Sequence, residues 1–161
     1  MKKNALIRLV EKFIDHDCTV KILKQFCYQP EDKVIGISLI EDNSSNSEWA
    51  KYLKATFNFT LTQENLFAMS ILHELGHHYT VDYFENDEWI EQATEKALGD
   101  LTGSARQQAY FNLPIEKVAT EFAVKVYNAN ERDMRAWNHR LNCAVRHFEK
   151  LHSVKSSLTS F

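Results

Sequence analysis

The sequence predicts a mostly helical α+β fold that forms a single domain over residues 1–161. Four glycines and two prolines are few for this length, and their scarcity favours long helices over a turn-rich β architecture. Long stretches carry apolar residues at helical spacing, whereas short β-branched segments lie together between residues 20 and 40. The hydrophobic content of 44% suffices for one sizeable core.

The first forty residues predict one helix followed by a small sheet. Residues 3–15 carry apolar side chains on one helical face and charged side chains on the other. The apolar positions of this helix are Leu6, Ile7, Val10, Phe13 and Ile14. Residues 20–23 and 34–40 are short apolar or β-branched segments separated by a turn at 28–32. We therefore expect a sheet of two or three strands.

The middle of the chain predicts a loop and then a buried helix. The polar run 42–47 predicts a surface loop, and residues 48–59 predict a helix that ends as a strand. Residues 61–72 contain neither glycine nor proline and are apolar on nearly every side. We expect them to form one buried helix that Thr60 or Thr62 caps.

Four further helices follow from the apolar spacing of the C-terminal half. They are expected over residues 85–101, about 104–111, a segment that Asn112 begins as its cap, and about 130–152. The buried stripe of the third of these helices is predicted to be Ile115, Val118, Ala119, Phe122 and Val126. Residues 153–161 are expected to fray.

Composition and charge exclude several classes of protein. The net charge of −3 gives no footprint for non-specific binding of nucleic acid. Cys18, Cys27 and Cys143 form no Cys-x-x-Cys pair, which indicates reduced thiols that fill the core. No apolar run is long enough for a signal sequence or a membrane span. We therefore expect a soluble, cytoplasmic protein with no membrane partner.

The motif His73-Glu74-Leu75-Gly76-His77 is an HExxH pattern inside the predicted buried helix. Residues four apart share a helix face, so His73 and His77 can present their imidazoles to one metal ion, with Glu74 about 100° away around the helix. Burying two histidines and a carboxylate among apolar residues costs several kcal/mol unless they are coordinated or paired. The sequence therefore predicts a metal site, with a hydrogen-bonded structural cluster as the alternative.

A catalytic zinc ion usually takes three protein ligands, so the two histidines need a partner. The extended pattern HExxHxxGxxH fails here because Thr80 and Tyr83 occupy the places of its glycine and third histidine. The downstream glutamates are the other candidates: Glu85, Glu88, Glu91, Glu95, Glu116, Glu121, Glu131 and Glu149. Glu116 lies in the first turn of an apolar helix and begins the chain's only Glu-x-x-Ala, in which small Ala119 permits close helix approach. We expect Glu116 to be the third ligand.

HELGH followed by residues 115–123, Ile-Glu-Lys-Val-Ala-Thr-Glu-Phe-Ala, resembles the gluzincin peptidases of the ImmA/IrrE type. These peptidases carry a Glu-x-x-Ala-x-x-Phe-Ala signature on a later helix, and the resemblance covers mainly residues 60–127. It implies a small zincin-like domain in which a small N-terminal sheet packs on the HExxH helix. It also implies a protein substrate such as a phage-type repressor, often encoded on a mobile element.

If zinc is bound, the motif predicts hydrolysis in which Glu74 is the general base, since zinc lowers the pKa of water and Glu74 can take the proton. Candidate donors to the developing oxyanion are Tyr79, His78, Tyr83, Tyr110 and His139. We expect His78 to be a surface or supporting residue rather than a ligand, because it points about 100° from His77. Gly76 is expected to permit close backbone approach, since a mid-helix glycine otherwise costs about 1 kcal/mol.

Three functions are compatible with this pattern. The first is a zinc-dependent endopeptidase with a specific protein substrate. The second is a non-cleaving antirepressor or binding protein that keeps the metal for stability. The third is a hydrolase of a non-peptide amide. Intact Glu74 favours catalysis, because a purely structural zinc site has no use for a base beside its water.

Overall fold

The computed structural model describes residues 4–14, 17–84 and 87–158, without the side chains of residues 83, 84, 87–89 and 154–158. Its helices are α1 (Ala5–Ile14), α2 (Asn43–Phe57), α3 (Leu66–Thr80), α4 (Asp87–Leu98), α5 (Gly103–Phe111), α6 (Pro114–Ala129) and α7 (Glu131–Leu158). Its strands are β1 (Thr19–Leu23), β2 (Cys27–Gln29) and β3 (Val34–Ser38), and a 3-10 turn over Val81–Phe84 follows α3. The prediction of a mostly helical α+β fold with a small N-terminal sheet is confirmed.

The sheet has the order β1-β3-β2, so β3 lies in the middle. β1 pairs with it in parallel and β2 pairs with it antiparallel, with Cys27 opposite Gly36. Every residue of β3 is buried, as expected for a central strand covered on both faces. A methyl group on Gly36 would lie 2.6 Å from Cδ1 of Leu23 and 2.8 Å from the sulfur of Cys27, so these two side chains would have to shift to admit a larger residue.

The polar run 42–47 is not a loop, because α2 begins at Asn43. The side chain of Asp42 caps the helix by accepting a hydrogen bond from the backbone N–H of Ser45 at 3.1 Å. The burial of Trp49, Tyr52 and Leu53 later in the same helix outweighs the low helix propensity of its first turn. The strand expected before residue 59 is also absent, because Asn58 ends α2 in the left-handed conformation with φ of 52°.

Helix α3 begins at Leu66 rather than at residue 61, with Asn65 directly before it. Of the two predicted caps, Thr62 does accept the capping hydrogen bond of the turn that leads into the helix. Thr62 and Asn65 form a reciprocal pair: the Asn65 side chain accepts from the Thr62 N–H at 2.7 Å, and the Thr62 hydroxyl accepts from the Asn65 N–H at 3.3 Å. The Asn65 amide also donates to the carbonyl of Thr60. These reciprocal bonds form a capping box, and the carbonyl of Thr62 accepts from the N–H of Leu66 at 2.9 Å, so residues 62–65 form a capped turn that leads into α3.

The C-terminal half also departs from the predicted boundaries. Asn112 ends α5 and Leu113 precedes α6, whose first residue Pro114 lacks an N–H that would need a cap. The buried face of α6 consists of Glu116, Ala119, Thr120, Ala123, Val124 and Tyr127. This face is rotated from the predicted apolar stripe because it includes two polar residues. Helix α7 continues to Leu158, so the prediction that the chain frays from residue 153 was wrong for residues 153–158. Residues 159–161 lie outside the described part.

The core is organised around α3. This helix packs along α6, against the strands β2 and β3, and against α7. Helix α1 packs on α7 and β1, and α2 packs on α5. Cys18 is buried, Cys27 is half-buried and Cys143 is exposed, and all three are free thiols, so the prediction that all three fill the core was wrong for Cys143. Among the described residues, no helix has the length and apolar character needed to span a membrane.

Candidate metal centre

Helices α3 and α6 bring His73, His77 and Glu116 to one point. His73 and His77 lie one turn apart on α3, and their Nε2 atoms are 3.1 Å apart. Glu116, in the first turn of α6, places Oε2 at 3.0 Å from Nε2 of His73 and 3.4 Å from Nε2 of His77. The structure therefore brings together the three residues that the sequence singled out as metal ligands.

The spacing of these three atoms fits a tetrahedral zinc site. Zinc binds imidazole nitrogen and carboxylate oxygen at about 2.0–2.1 Å, so neighbouring ligand atoms of a tetrahedral ion are separated by about 3.3 Å. The observed separations of 3.0, 3.1 and 3.4 Å bracket that value. A proton bonds best to one acceptor along its own axis, whereas a cation attracts all three atoms at once. The donor set is therefore suited to a divalent cation such as Zn²⁺.

Residues outside the ligand triangle hold two of its members in place. The hydroxyl of Thr120, one turn after Glu116 on α6, lies 3.1 Å from Nδ1 of His73. The hydroxyl of Tyr110 donates to Oε1 of Glu116 at 2.9 Å. These contacts engage the outer atoms of the two side chains and leave Nε2 and Oε2 directed at the common point, as in many metal sites. The edge of Trp49 packs on the His73 ring, with centroids 5.7 Å apart.

Sequence reasoning missed the supporting roles of Thr120, Tyr110 and Trp49. Thr120 carried a usable signal, because a polar residue four positions after Glu116 shares its helix face. The sequence suggested Tyr110 only as an oxyanion donor, because its position relative to Glu116 depends on the turn between α5 and α6. The contact of Trp49 with His73 could not be predicted, because nothing in the local sequence indicates that α2 packs beside α3.

Opposite charges set the protonation of the ligand cluster. Burial favours the neutral form of Glu116, but hydrogen bonds and the charges of His73 and His77 outweigh it and hold the pKa of Glu116 well below its usual range. Burial opposes the charging of His77, yet its contacts with Glu116 raise the pKa of His77. Burial and the Glu116 charge raise the pKa of Tyr110, so its hydroxyl remains a donor. Glu116 is therefore an anion at neutral pH, as a metal ligand must be.

Glu74 is buried beside the cluster, with 7% of its surface exposed. Burial is the main cause that raises its pKa, and it outweighs the opposing charges of His73 and His77. After burial, the charge of Glu74 is the next cause that raises the pKa of Cys27 on strand β2. A carboxylate whose pKa is raised towards neutrality is suited to accept and release a proton.

Helix α6 lies unusually close to α3 at Gly76. A methyl group on Gly76 would lie 2.6 Å from the carbonyl oxygen of Ala119 and 2.9 Å from its Cα. The prediction that Gly76 permits close backbone approach is confirmed, and small Ala119 is the residue it meets. Because Ala119 is less than one turn from Glu116, this contact fixes the third ligand against the two histidines.

The other sequence candidates lie elsewhere. His78 points to Tyr28, Tyr79 is 51% exposed against Phe122, and His139 lies on α7 near Cys143. Tyr83 lies outside the described side chains. Of the other candidate glutamates, Glu121 pairs with Lys125 and Glu131 pairs with Arg135, while Glu91, Glu95 and Glu149 are exposed. Glu85 and the side chain of Glu88 lie outside the described part.

Comparison of the chain with protein-family models, with curated proteins and with solved structures finds no match. The interpretation of the centre therefore rests on its residues and their geometry.

Proposed function

We propose that this protein is a zinc-dependent endopeptidase whose centre is formed by His73, His77 and Glu116, with Glu74 as the general base. The observation that carries the proposal is the convergence of three ligand atoms within 3.4 Å beside a buried carboxylate on the same helix. Three protein ligands leave one coordination position for water or substrate, which is the arrangement of hydrolytic zinc sites.

Each residue of the centre has a distinct task in peptide hydrolysis. Bound zinc would supply a Lewis acid that polarises the peptide carbonyl and acidifies the attacking water. Glu74 accepts the proton of that water and delivers it to the leaving amine, for which its raised pKa is suited. Tyr110 and Thr120 hold the side chains of Glu116 and His73, respectively, in position through hydrogen bonds.

We infer that the substrate is a protein and that the fold is zincin-like, of the ImmA/IrrE gluzincin type. The HELGH motif and the Glu-x-x-Ala segment support this, since their residues form the same cluster that the resemblance implies. Thr120 occupies a position where asparagine often stands in those peptidases, and its polar side chain supports His73. A phage-type repressor or another transcriptional regulator in the cytoplasm is the proposed substrate class.

An extended peptide has a binding edge beside the centre. Among the described strands, β2 pairs only with β3, so its outer edge is free to pair with a substrate backbone. Strand β2 contacts α3, the helix that carries Glu74. The ligand side chains are only 10–14% exposed, so a narrow extended segment fits the centre better than a folded surface.

The test is to incubate the zinc-loaded protein with regulators encoded beside its gene and to compare it with Glu74→Gln. This substitution is nearly isosteric and leaves the ligands intact, so we expect normal zinc content and no cleavage. Wild type should release discrete fragments that a chelator prevents. If neither protein cuts a neighbour while both bind one equally, a non-cleaving binding protein replaces the enzyme. If the protein holds no zinc, the cluster is a hydrogen-bonded structural element.

A further inference from the structure

A second group of side chains that could bind a metal ion includes His78, which lies about 100° around α3 from His77. Ligand atoms of Asp17, Cys18 and His78 all lie within 4.8 Å of one another. Asp17 and Cys18 directly precede β1, whereas His78 lies in the last turn of α3. The group combines a thiol, an imidazole and a carboxylate, and none of these belongs to the His73 centre.

His78 is held in an orientation that suits a metal ligand. Its Nδ1 lies 2.6 Å from the hydroxyl of Tyr28, and the two rings meet edge to face. Its Nε2 faces Oδ1 of Asp17 at 3.7 Å, which is too long for a hydrogen bond and close to the separation of two ligands on one ion. When Nδ1 donates its proton to Tyr28, Nε2 keeps its lone pair for a cation.

The surroundings of the group carry charges of both signs. Lys33 binds Oδ2 of Asp17 at 3.0 Å and leaves Oδ1 directed at His78. Asp82 follows His78 by four residues, and burial, followed by the charges of Cys18, Asp17 and Asp82, raises the pKa of Tyr28. The Cys18 side chain is buried while Asp17 is 58% exposed, so the group opens to solvent on one side.

We propose that Asp17, Cys18 and His78 form a second zinc site that ties the start of β1 to the end of α3. Zinc suits this donor set because it accepts thiolate, imidazole and carboxylate ligands together. On binding, the Cys18 thiol loses its proton to solvent and becomes the thiolate ligand. The site does not depend on the proposed peptidase function, and it would stabilise the edge of the sheet against the helix that carries HExxH.

Cobalt(II) distinguishes the two sites, because only the second contains sulfur. Metal-free wild type titrated with Co²⁺ should bind two equivalents, one of which brings a sulfur-to-cobalt charge-transfer absorption in the near ultraviolet. Cys18→Ser should lose that absorption and one equivalent, whereas Cys27→Ser and Cys143→Ser should keep both. Glu116→Ala should lose the equivalent that lacks the absorption.

His78→Gln provides a second variant if Cys18→Ser does not fold. It should weaken the absorbing equivalent tenfold or more while the protein retains its helical circular dichroism. The proposal is overturned if folded wild type shows no sulfur-to-cobalt absorption, or if the absorption survives in folded Cys18→Ser. Loss of the other equivalent from wild type, with the absorption retained, would contradict the His73 centre and support the second site.

Discussion

Gly76→Ala tests whether the close approach of α3 and α6 sets the metal geometry. The new methyl group would lie 2.6 Å from the Ala119 carbonyl oxygen, and an ordinary contact needs about 3.4 Å, so the helices must separate by about 0.8 Å. Metal-site distances tolerate about 0.2 Å. We therefore expect zinc affinity to fall about 10- to 100-fold, as for other substitutions that displace a ligand indirectly.

The stability of the metal-free protein should change less. Overpacking typically costs about 1–3 kcal/mol, while replacing a mid-helix glycine by alanine returns about 1 kcal/mol of helix propensity. The net loss is about 0–2 kcal/mol, measured by denaturant unfolding with a chelator present. Zinc affinity is measured by competition with a chelator of known strength.

The matched control is Gly76→Ala combined with Ala119→Gly. The atoms that the new methyl group meets are the backbone oxygen, Cα and carbonyl carbon of Ala119, so removing the Ala119 side chain should not restore zinc binding. Zinc affinity of Gly76→Ala within twofold of wild type would refute the idea that this contact positions Glu116.

Three further predictions concern the proposed ligand Glu116, its hydrogen-bond donor Tyr110 and the carboxylate of Glu48. Glu116→Ala should weaken zinc binding tenfold or more by chelator competition, whereas Glu121→Ala, in which the lost carboxylate is half-exposed and paired with Lys125, should not. Tyr110→Phe removes the donor to Oε1 and should weaken zinc about tenfold, while Tyr79→Phe, at an exposed ring, should leave it unchanged. Glu48 has a pKa lowered to about 2 by hydrogen bonds from Lys51, Ser104 and Gln108. Because its folded-state pKa is depressed, its stabilisation is present above about pH 4.5 and is lost as pH falls towards 2. Thermal unfolding of metal-free Glu48→Gln should therefore show a deficit at pH 7 that disappears near pH 2, and an equal deficit at both pH values would contradict this.

The residues of the centre could be predicted where local helix geometry decides their placement. The spacing of His73 and His77 puts both side chains on one face once α3 forms. A glycine in the middle of that helix, Gly76, indicates that the backbone of another element approaches closely. Glu116 could be selected because it begins the chain's only Glu-x-x-Ala, in which the small Ala119 lets its helix approach a neighbour closely. Each of these patterns lies within a single helix, so it can be recognised from the amino-acid sequence alone.

Other features depend on long-range contacts that a local pattern does not encode. Helix α2 starts in a polar segment because Trp49 and its neighbours, later in the same helix, are buried against α3 and α5. The polar first turn faces solvent and needs no apolar side chains of its own. Helix α3 starts at Leu66 because residues 62–65 form a turn before it, which the reciprocal hydrogen bonds of Thr62 and Asn65 cap. The parallel pairing of β1 with β3 likewise cannot be derived from two short segments whose order in the sheet is unknown.

The proposed ligands of the centre come from α3 and α6, which pack directly on each other, while α4 and α5 lie between them in the chain. The distance in sequence from His77 to Glu116 therefore does not determine their distance in space. Evolution can lengthen or shorten the stretch between α4 and α5 without moving a ligand, provided that Tyr110 still reaches Glu116. We expect proteins with the same centre and a different number of intervening residues, and a search with an unconstrained spacer is the way to find them.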